Sequence, residues 1–530
     1  MRVAFVYREV ESLAEEALSA HLRRHGHETT LVFDPAVAND EILKSGRLSR
    51  FFDVREALVD EIVASRPDIV AFSVMTETFA QFRRIAAALK ARAPEIPTIF
   101  GGIHATSAPE EVIAEPFVDV LCRGEGEEPF RELLDRFGEY RRGGARDIAN
   151  LWFNDGGEIT RNEVRPLVSD LDTFPHWDKD LYFSKLPEFQ HRYAIMASRG
   201  CPYTCTFCCN SYYLDMYRGK GSYLRQRSVD HVVSELVAAK KRYKVKCLRF
   251  LDDIFTWNKA WLRDFAREHE RHVGIPIKCF SHLNQLDEES VSYLVQARTK
   301  FVNIGVQSVN EEARKGVLKR GPGTNEKIAS VIAMLKRAGI GVLVDHITGT
   351  PEGEDLTEAA RFYNRTRPSV IQVYDLTAYP GTKMVDILRE KSMLSEDEIR
   401  KIAHGNGAGY LRGGSVESER RARNGFRTLM GWLPLIPRPL ANLLIEKKLY
   451  RHLPGKGFFM PHILPRLIAS PFNGEFAWDK EELRGYAARI RHAMKLRKAR
   501  AASGRDASAP PTAAAPDAAP PVSSLSPLSR

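Results

Sequence analysis

The sequence has no long apolar stretch and few cysteines for a chain of 530 residues. Because no run of about 18 or more uncharged apolar residues occurs, neither a signal peptide nor a membrane-spanning helix is expected. Seven cysteines in so long a chain do not suggest a disulfide framework, and a reducing compartment is predicted. The composition, with 43% hydrophobic and 28% charged residues, is that of a globular cytoplasmic protein.

Excess positive charge is lacking in most of the chain. The net charge is +10, yet residues 401–500 alone hold 20 Lys and Arg against 7 Asp and Glu. The first 400 residues are therefore near neutral, and any acidic partner is expected to meet the C-terminal part. No nucleic-acid partner is predicted.

Short apolar runs alternate with amphipathic stretches over residues 1–140. The candidate strands are Val3 to Tyr7, Thr30 to Phe33, Ile69 to Ser73, Thr98 to Phe100 and Val118 to Cys122. Short strands divided by helices predict an α/β fold with a doubly wound parallel sheet, which binds ligands at the carboxyl ends of its strands. The loops at those ends hold the candidate ligand-binding residues Ser73, Thr76, Gly101, Gly102, His104, Gly124 and Glu125. Paired glycines let backbone N–H groups approach a ligand closely.

Three cysteines share one short loop farther along the chain: Cys201, Cys205 and Cys208. Zinc sites take four protein ligands and most Fe–S clusters take four cysteines, so a local set of three suggests a cluster with one iron open to a small molecule. A zinc knuckle is the alternative. The neighbouring Cys209 is interpreted as structural, because adjacent side chains point apart.

Strand and helix signals alternate again from Tyr193 to about Leu376. The candidate strands are Tyr193 to Ala197, Cys247 to Leu251, Ile277 to Ser281, Phe301 to Val306, Gly341 to Ile347 and Val370 to Leu376. Six β/α units predict a partial barrel whose function collects at the carboxyl ends of the strands. Polar candidates follow those ends, namely Asp252, Asp253, Gln307, Ser308 and Thr350. Acidic pairs such as Asp252 and Asp253 also occur in salt bridges and caps.

These motifs resemble the cobalamin-dependent radical S-adenosylmethionine (SAM) family over nearly 400 residues. The resemblance rests on the CxxxCxΦC loop with Phe207 before the last cysteine, on GGxHxT at Gly101 to Thr106 and on GExE at Gly124 to Glu127. It implies a flavodoxin-like cobalamin-binding domain followed by a TIM-like barrel. In that barrel the three cysteines would hold a [4Fe–4S] cluster, and SAM would bind the open iron.

The resemblance also implies SAM contacts in the barrel. The Asp252-Asp253 loop takes the place of a segment near the methionine amino group of SAM. Gln307 and Ser308 match a G-x-E-S-like segment, with Gln where Glu is usual, and this substitution leaves a weaker hydrogen-bond acceptor.

One departure from the better-known cobalamin proteins concerns the cobalt ligand. Their DxHxxG segment after the first strand supplies a histidine, whereas the segment Tyr7 to Ser12 has none. This implies base-off cobalamin without a histidine lower ligand. His104 is a substitute candidate, with hydrogen bonding or packing as its alternative role. A nucleotide-binding, flavin-binding or receiver-like domain is the alternative for this half of the chain.

The implied function is methylation of an unactivated carbon. An apolar polycyclic lipid is the predicted substrate class, with hopanoid C-3 methylation as the named candidate. The alternatives are oxidative cyclisation of a porphyrin, as in Mg-protoporphyrin monomethyl ester cyclases, and a non-enzymatic cobalamin or redox sensor. An electron donor such as flavodoxin or ferredoxin is implied as a partner.

Five segments are predicted: a cobalamin-binding domain at 1–140, a connector at 141–190, a radical SAM barrel at 191–385, a basic and mainly helical region at 386–500, and a disordered tail at 501–530. Residues 420–472 mix arginines with the proline-broken apolar segments Trp432 to Pro437 and Phe458 to Pro461. Such a region could cover the barrel mouth as a lid or rest on an anionic membrane surface, here the inner membrane.

Overall fold

The computed structural model describes residues 1–38, 46–321, 323–405, 417–454, 468 and 476–502. The predicted segment Phe458 to Pro461 and most of the predicted tail lie outside these residues.

The N-terminal sheet has the strand order β2-β1-β3-β4-β5-β6-β7 within the described residues. Its strands are β1 Arg2–Arg8, β2 Glu28–Asp34, β3 Ile69–Ser73, β4 Thr98–Gly101, β5 Val120–Cys122, β6 Leu151–Asp155 and β7 Glu158–Arg161. Strands β1 to β5 run parallel, and β6 and β7 join them antiparallel. The predicted doubly wound sheet is confirmed, and a hairpin from the predicted connector extends it.

Helices cover both faces of this sheet, which is why the central strand β1 is apolar on both of its sides. The helices are α1 Leu13–Arg24, α2 Gly46–Phe51, α3 Arg55–Ser65, α4 Thr76–Arg92, α5 Ile103–Ser107, α6 Pro109–Ile113, α7 Glu127–Asp135 and α8 Phe137–Arg141.

The second large sheet is parallel and has the order β15-β14-β13-β12-β11-β8. Its strands are β8 Arg192–Ile195, β11 Cys247–Phe250, β12 Ile277–Ser281, β13 Thr299–Gln307, β14 Gly341–Thr348 and β15 Val370–Asp375. A short antiparallel pair, β9 Ser198–Arg199 and β10 Arg225–Gln226, lies beside it. The predicted partial barrel is confirmed.

The two faces of the barrel sheet differ in polarity. The apolar face packs against helices α11 Val229–Arg242, α12 Lys259–Glu268, α13 Glu288–Gln296, α14 Glu311–Lys315, α15 Asn325–Arg337 and α16 Leu356–Thr366. Two helices precede these in the chain, α9 Asp180–Phe183 and α10 Cys209–Met216. Residues in register across the strands share the opposite, inner face, which carries Arg249, Lys278, Asn303, Asp345 and Gln372. A polar inner face is therefore available to a bound molecule.

The C-terminal region is helical where it is described. Its helices are α17 Lys383–Glu390, α18 Glu396–Ala403, α19 Glu417–Trp432, α20 Arg438–Glu446 and α21 Phe476–Ala502. Helix α19 packs against α16 and the edge strand β15, α20 packs against α16, and α21 returns to α3 of the N-terminal half. Helices α19 and α20 thus lie beside the barrel, whereas residues 455–467 and 469–472 of the predicted lid lie outside the described residues. No helix of the described ranges is long and apolar enough to cross a membrane.

A buried lysine connects the two halves of the molecule. Lys179, 2% exposed, precedes α9, and its ammonium donates to Glu11 (2.8 Å), to Glu16 on α1 (2.6 Å) and to the backbone oxygen of Ala194 on β8 (2.6 Å). Burial lowers the pKa of Lys179, but the two carboxylates raise it by more. A charged lysine in this position holds helix α1 against the barrel.

Replacing this lysine should destabilise the whole protein. The Lys179→Met variant leaves two buried carboxylates without their cation, and we expect the free energy of unfolding to fall by roughly 3 kcal/mol. Lys185→Met is the matched control, because its ion pair with Glu61 is partly exposed and should contribute less than about 1 kcal/mol. Equal denaturant midpoints for the two variants would contradict this role of Lys179.

Candidate functional site

The cysteine loop lies between strand β9 and helix α10, at the mouth of the barrel. Thr206 fixes its middle, because its backbone N–H donates to Leu318 (3.1 Å) and its backbone oxygen accepts from Met384 (2.9 Å). Cys201 and Cys205 are buried, at 8% and 3% exposure, and Cys208 is half-buried. The loop is therefore held from two sides with its thiols turned inward.

The thiols differ in their electrostatic surroundings. Burial raises the pKa of Cys201 to about 12. Burial also raises the pKa of Cys205, although the Arg320 guanidinium, 3.7 Å from its sulfur, acts in the opposite direction. A hydrogen bond from the Cys209 thiol is the main cause that lowers the pKa of Cys208 to about 7. Asn210 also reaches the Cys208 sulfur, at 3.6 Å.

This donor set fits an Fe–S cluster better than a single metal ion. Among the described residues, no group of three or more His, Cys, Asp or Glu side chains is close enough to hold one ion. A cluster does not need such convergence, because each thiolate binds a different iron. Hydrogen bonds to the sulfurs, here from Arg320 and Asn210, are typical of Fe–S sites and tune their potential.

The two aspartates after β11 have different roles. Asp252 is fully buried and accepts from the Ala197 N–H (3.0 Å) and from the Ser198 hydroxyl, while burial raises its pKa to about 6. Through these hydrogen bonds it fixes the end of β8, and its cofactor contact stays a prediction. Asp253 is exposed in the barrel mouth, accepts from Asn210 (2.9 Å) and raises the pKa of Cys201.

The residues after β13 and β14 also divide into two groups. Gln307 ends β13 at a register shift, with a left-handed φ of 68°, close to Gly305 and Arg320. Ser308 is fully buried and donates to Glu354 (2.6 Å), whose other oxygen pairs with His346 (2.8 Å). Ser308 thus ties the end of β13 to Glu354, and its cofactor contact stays a prediction.

Two further predicted contacts, Thr350 and Phe207, do not face the cysteine thiols. Thr350 lines a separate cavity of about 750 Å³ beside α19, and its buried hydroxyl has no hydrogen-bond partner in the described part of the chain. Phe207 is half-buried in an apolar cluster with Leu318 and Met384.

A cavity of about 370 Å³ lies at the carboxyl edge of the N-terminal sheet. Its wall includes the predicted residues Ser73, Gly101, Gly102, Gly124 and Glu125, together with Arg199 and Gly200 of the barrel. The cavity therefore extends from the glycine loops to the residue before Cys201.

The glycines at this edge serve different purposes. Gly102, with φ of 93°, would place a Cβ 2.8 Å from the Val74 backbone nitrogen, so the chain itself requires glycine there. A Cβ at Gly101 would meet nothing nearer than the Cys122 Cβ at 3.8 Å, and its absence leaves space at the cavity. An apolar slot with a glycine-lined rim fits the close approach of a flat macrocycle such as the corrin of cobalamin.

Two residues of the predicted cobalamin loops lie behind the cavity wall. His104 is fully buried, its ring lies 4.7 Å from that of Phe79, and its Nδ1 is 3.1 Å from the Thr76 hydroxyl. Burial lowers the pKa of His104 to about 4. Neither His104 nor Thr76 lines the cavity, so their visible contacts are packing and the hydrogen bond between them, and their cofactor contacts stay predictions.

The GExE segment pairs with arginines of the barrel. Arg199 forms ion pairs with Glu127 (2.6 Å) and Glu125 (3.3 Å), and Arg225 donates to Glu125 (3.1 Å). Burial raises the pKa of Glu127, but Arg199 lowers it by more. The predicted cofactor residue Glu125 therefore acts mainly by joining the two halves.

Tyrosines after the cysteine loop form the rest of this junction, and the sequence analysis missed them. Tyr212 of α10 donates to the Thr106 backbone oxygen (2.9 Å), and the Tyr217 hydroxyl accepts from the Glu125 N–H (2.9 Å). Tyr213 and Tyr223 stack 6.3 Å apart in the cavity wall. The tyrosine pair Tyr212-Tyr213, shortly after the cysteines, was the available signal.

Two protein families match the chain. The B12 binding domain family matches residues 2–134, and the radical SAM superfamily matches residues 195–363. The first match contains the glycine loops and the second contains the cysteine loop.

Curated relatives have related descriptions. An uncharacterized methyltransferase of Pyrococcus horikoshii is 27% identical over 63% of this chain and 72% of its own length. An anaerobic magnesium-protoporphyrin IX monomethyl ester cyclase of Cereibacter sphaeroides is 27% identical over 63% of this chain but only 55% of its own, less than two thirds. The hopanoid C-3 methylase of Methylococcus capsulatus is 22% identical over 71% of this chain and 68% of its own.

Solved structures share the fold. The radical SAM methyltransferase TsrM from Kitasatospora setae has a TM-score of 0.60 at 19% identity, covering 74% of this chain and 77% of that one. The cobalamin-dependent SAM radical enzyme OxsB also has a TM-score of 0.60, at 14% identity, and the match covers 95% of this chain and 81% of that one. Taken together, the two matches show that this chain contains a B12-binding domain followed by a domain of the radical SAM superfamily.

Proposed function

We propose that this protein methylates an unactivated carbon with cobalamin, SAM and a [4Fe–4S] cluster. The observation that carries the proposal is the single cavity whose wall runs from Gly101 and Gly124 to Gly200, next to Cys201. Two cofactor sites on one cavity support a reaction in which both act on the same substrate.

Particular side chains are proposed to hold the cofactors. Cys201, Cys205 and Cys208 would bind three irons, and the mouth-facing carboxyl of Asp253 and the amide of Gln307 would contact SAM. The rim that contains Ser73, Gly101, Gly102 and Gly124 would hold the corrin. An electron donor such as flavodoxin or ferredoxin is the proposed partner, because the cluster must be reduced.

The chain contributes placement and a dry environment. When bound, the cluster and SAM supply a 5′-deoxyadenosyl radical that removes hydrogen from carbon, and cobalamin supplies the methyl group. Tyr213, Tyr217 and Tyr223 stack in the cavity wall and exclude water from the space between the sites. Arg199 and Arg225 hold the two halves in fixed register through Glu125.

An apolar polycyclic lipid is the proposed substrate class, with hopanoid C-3 methylation as the named candidate. Leu440 and Leu443 of α20 are half exposed, at 49% and 50%, and Arg438, Lys447 and Lys448 lie beside them on the surface. Exposed leucines next to cations favour contact with an anionic bilayer, from which such a lipid would be taken.

The polar inner face of the barrel favours a second candidate, cyclisation of a porphyrin. Lys278 and Arg249 provide positive charge there, and Asp345, whose pKa burial raises to about 6, provides a proton donor or acceptor. A tetrapyrrole with carboxylate side chains could pair with these cations.

The cluster assignment predicts opposite results for two neighbouring cysteines. Cys205→Ala should lose iron, absorbance near ~400 nm and SAM cleavage, because one cluster ligand is removed. Cys209→Ala should keep all three after anaerobic reconstitution. Iron content and spectra decide the question, and full iron in Cys205→Ala or its loss in Cys209→Ala would contradict the ligand set.

A labelled-methyl experiment tests the function. Anaerobic holoenzyme, reductant and SAM carrying a labelled methyl group are incubated with lipid and tetrapyrrole fractions of the source cells, with Cys205→Ala enzyme as control. We expect 5′-deoxyadenosine and label in a lipid product. A changed tetrapyrrole without label would favour the cyclase, and absence of 5′-deoxyadenosine with every fraction would favour a sensor and contradict the proposal.

A further inference from the structure

Glu15 is a buried carboxyl that has neither a cation nor a hydrogen bond of normal geometry within the described chain. It lies in the first turn of α1, is 1% exposed and forms part of the wall of the interdomain cavity. Neither of its carboxyl oxygens has a hydrogen-bond partner of normal geometry among the described residues. An unpaired buried carboxyl is costly for the protein, so its presence calls for an explanation.

The adjacent residue shows how this chain otherwise buries a carboxyl. Glu16 is equally inaccessible, but it faces the ammonium of Lys179 at 2.6 Å. Glu15 has no such cation. Burial raises its pKa to about 7, against the opposing effect of the nearby Ser12 and Ser73 hydroxyls. The carboxyl is therefore largely protonated below neutral pH.

A protonated carboxyl has one O–H donor and one C=O acceptor side by side. The chemical group that matches both at once is a primary amide. The cavity around Glu15 is otherwise mostly apolar, with Phe5, Leu18 and Phe130 in its wall. A single polar group in an apolar wall orients a ligand and selects among ligands.

We propose that protonated Glu15 binds a primary amide of cobalamin, whose corrin ring carries several such amides at its periphery. The proposal rests on the assignment of cobalamin to this cavity. It makes Glu15 a binding residue that contributes specificity in the cavity wall near Ser73. The ligand then satisfies both carboxyl oxygens, and complex formation offsets the cost of burying them.

Several titratable groups face this site, and among those named here Glu15 is the one whose pKa lies near neutrality. Tyr7 of β1 and Tyr182 of α9 have pKa values that burial raises above the ordinary range, and the pKa of Cys122 is raised to about 12. Across the cavity, Arg199 holds Glu127 ionised.

The direction of the pH effect follows from the raised pKa of Glu15. Since the folded protein holds a proton that the unfolded chain releases at lower pH, stability is lost as the pH rises toward 7. Cobalamin affinity should fall as the pH rises through about 7, because the folded carboxyl then loses its donor.

Two substitutions separate binding from folding. Glu15→Leu removes the hydrogen-bonding groups without adding bulk, and Glu15→Gln keeps one donor and one acceptor at any pH. Glu28→Leu is the matched control, the same change at an exposed position on the opposite edge of the sheet. Equilibrium dialysis with hydroxocobalamin measures affinity, and thermal melting of the cobalamin-free protein measures stability.

We expect Glu15→Leu to bind cobalamin roughly tenfold more weakly while its cobalamin-free form melts at a higher temperature than wild type. Glu15→Gln should bind nearly as wild type at pH 6 and, unlike wild type, keep its affinity at pH 8.5. Wild-type affinity in Glu15→Leu, or the same pH dependence in Glu15→Gln as in wild type, would overturn the proposal. A wild-type protein that binds no cobalamin would overturn the assignment of the cavity itself.

Discussion

The ion pairs of Arg199 with Glu125 and Glu127 are the interaction on which the functional arrangement depends. Arg199 precedes the cysteine loop by one residue, and the two glutamates belong to the N-terminal domain. Because charges in a largely water-excluded junction must be paired, the two domains cannot separate here without a high cost. The glycine rim and the residues just before Cys201 are thereby held on one cavity.

Much of the fold could be predicted from the sequence, because parallel strands buried on both faces appear as short apolar runs between helices. The three cysteines could be predicted because their chemistry is local. The contacts of Asp252 and Glu125 could not be predicted. Their partners, Ala197 and Arg199 respectively, lie 55 and about 70 residues away in the sequence. A carboxylate in a loop has the same sequence signature whether it binds a cofactor, a strand end or an arginine.

The site contains two kinds of buried polar side chain. Asp252 and Ser308 are fully buried, and hydrogen bonds to other parts of the barrel satisfy them. Glu15 and Thr350 are buried beside cavities without partners in the described ranges. Polar groups of the first kind stabilise the scaffold, whereas those of the second kind mark surfaces that are complete only with a ligand.

The central claim is that the cluster and cobalamin sites adjoin one interdomain cavity, whose wall runs from the glycine loops to Gly200. The most direct measurement is electron paramagnetic resonance of holoenzyme that contains the reduced cluster and cob(II)alamin, both paramagnetic. The account predicts a spin–spin interaction that alters both signals and disappears when cobalamin is removed. Two signals that are each identical to those of protein with one cofactor would contradict it.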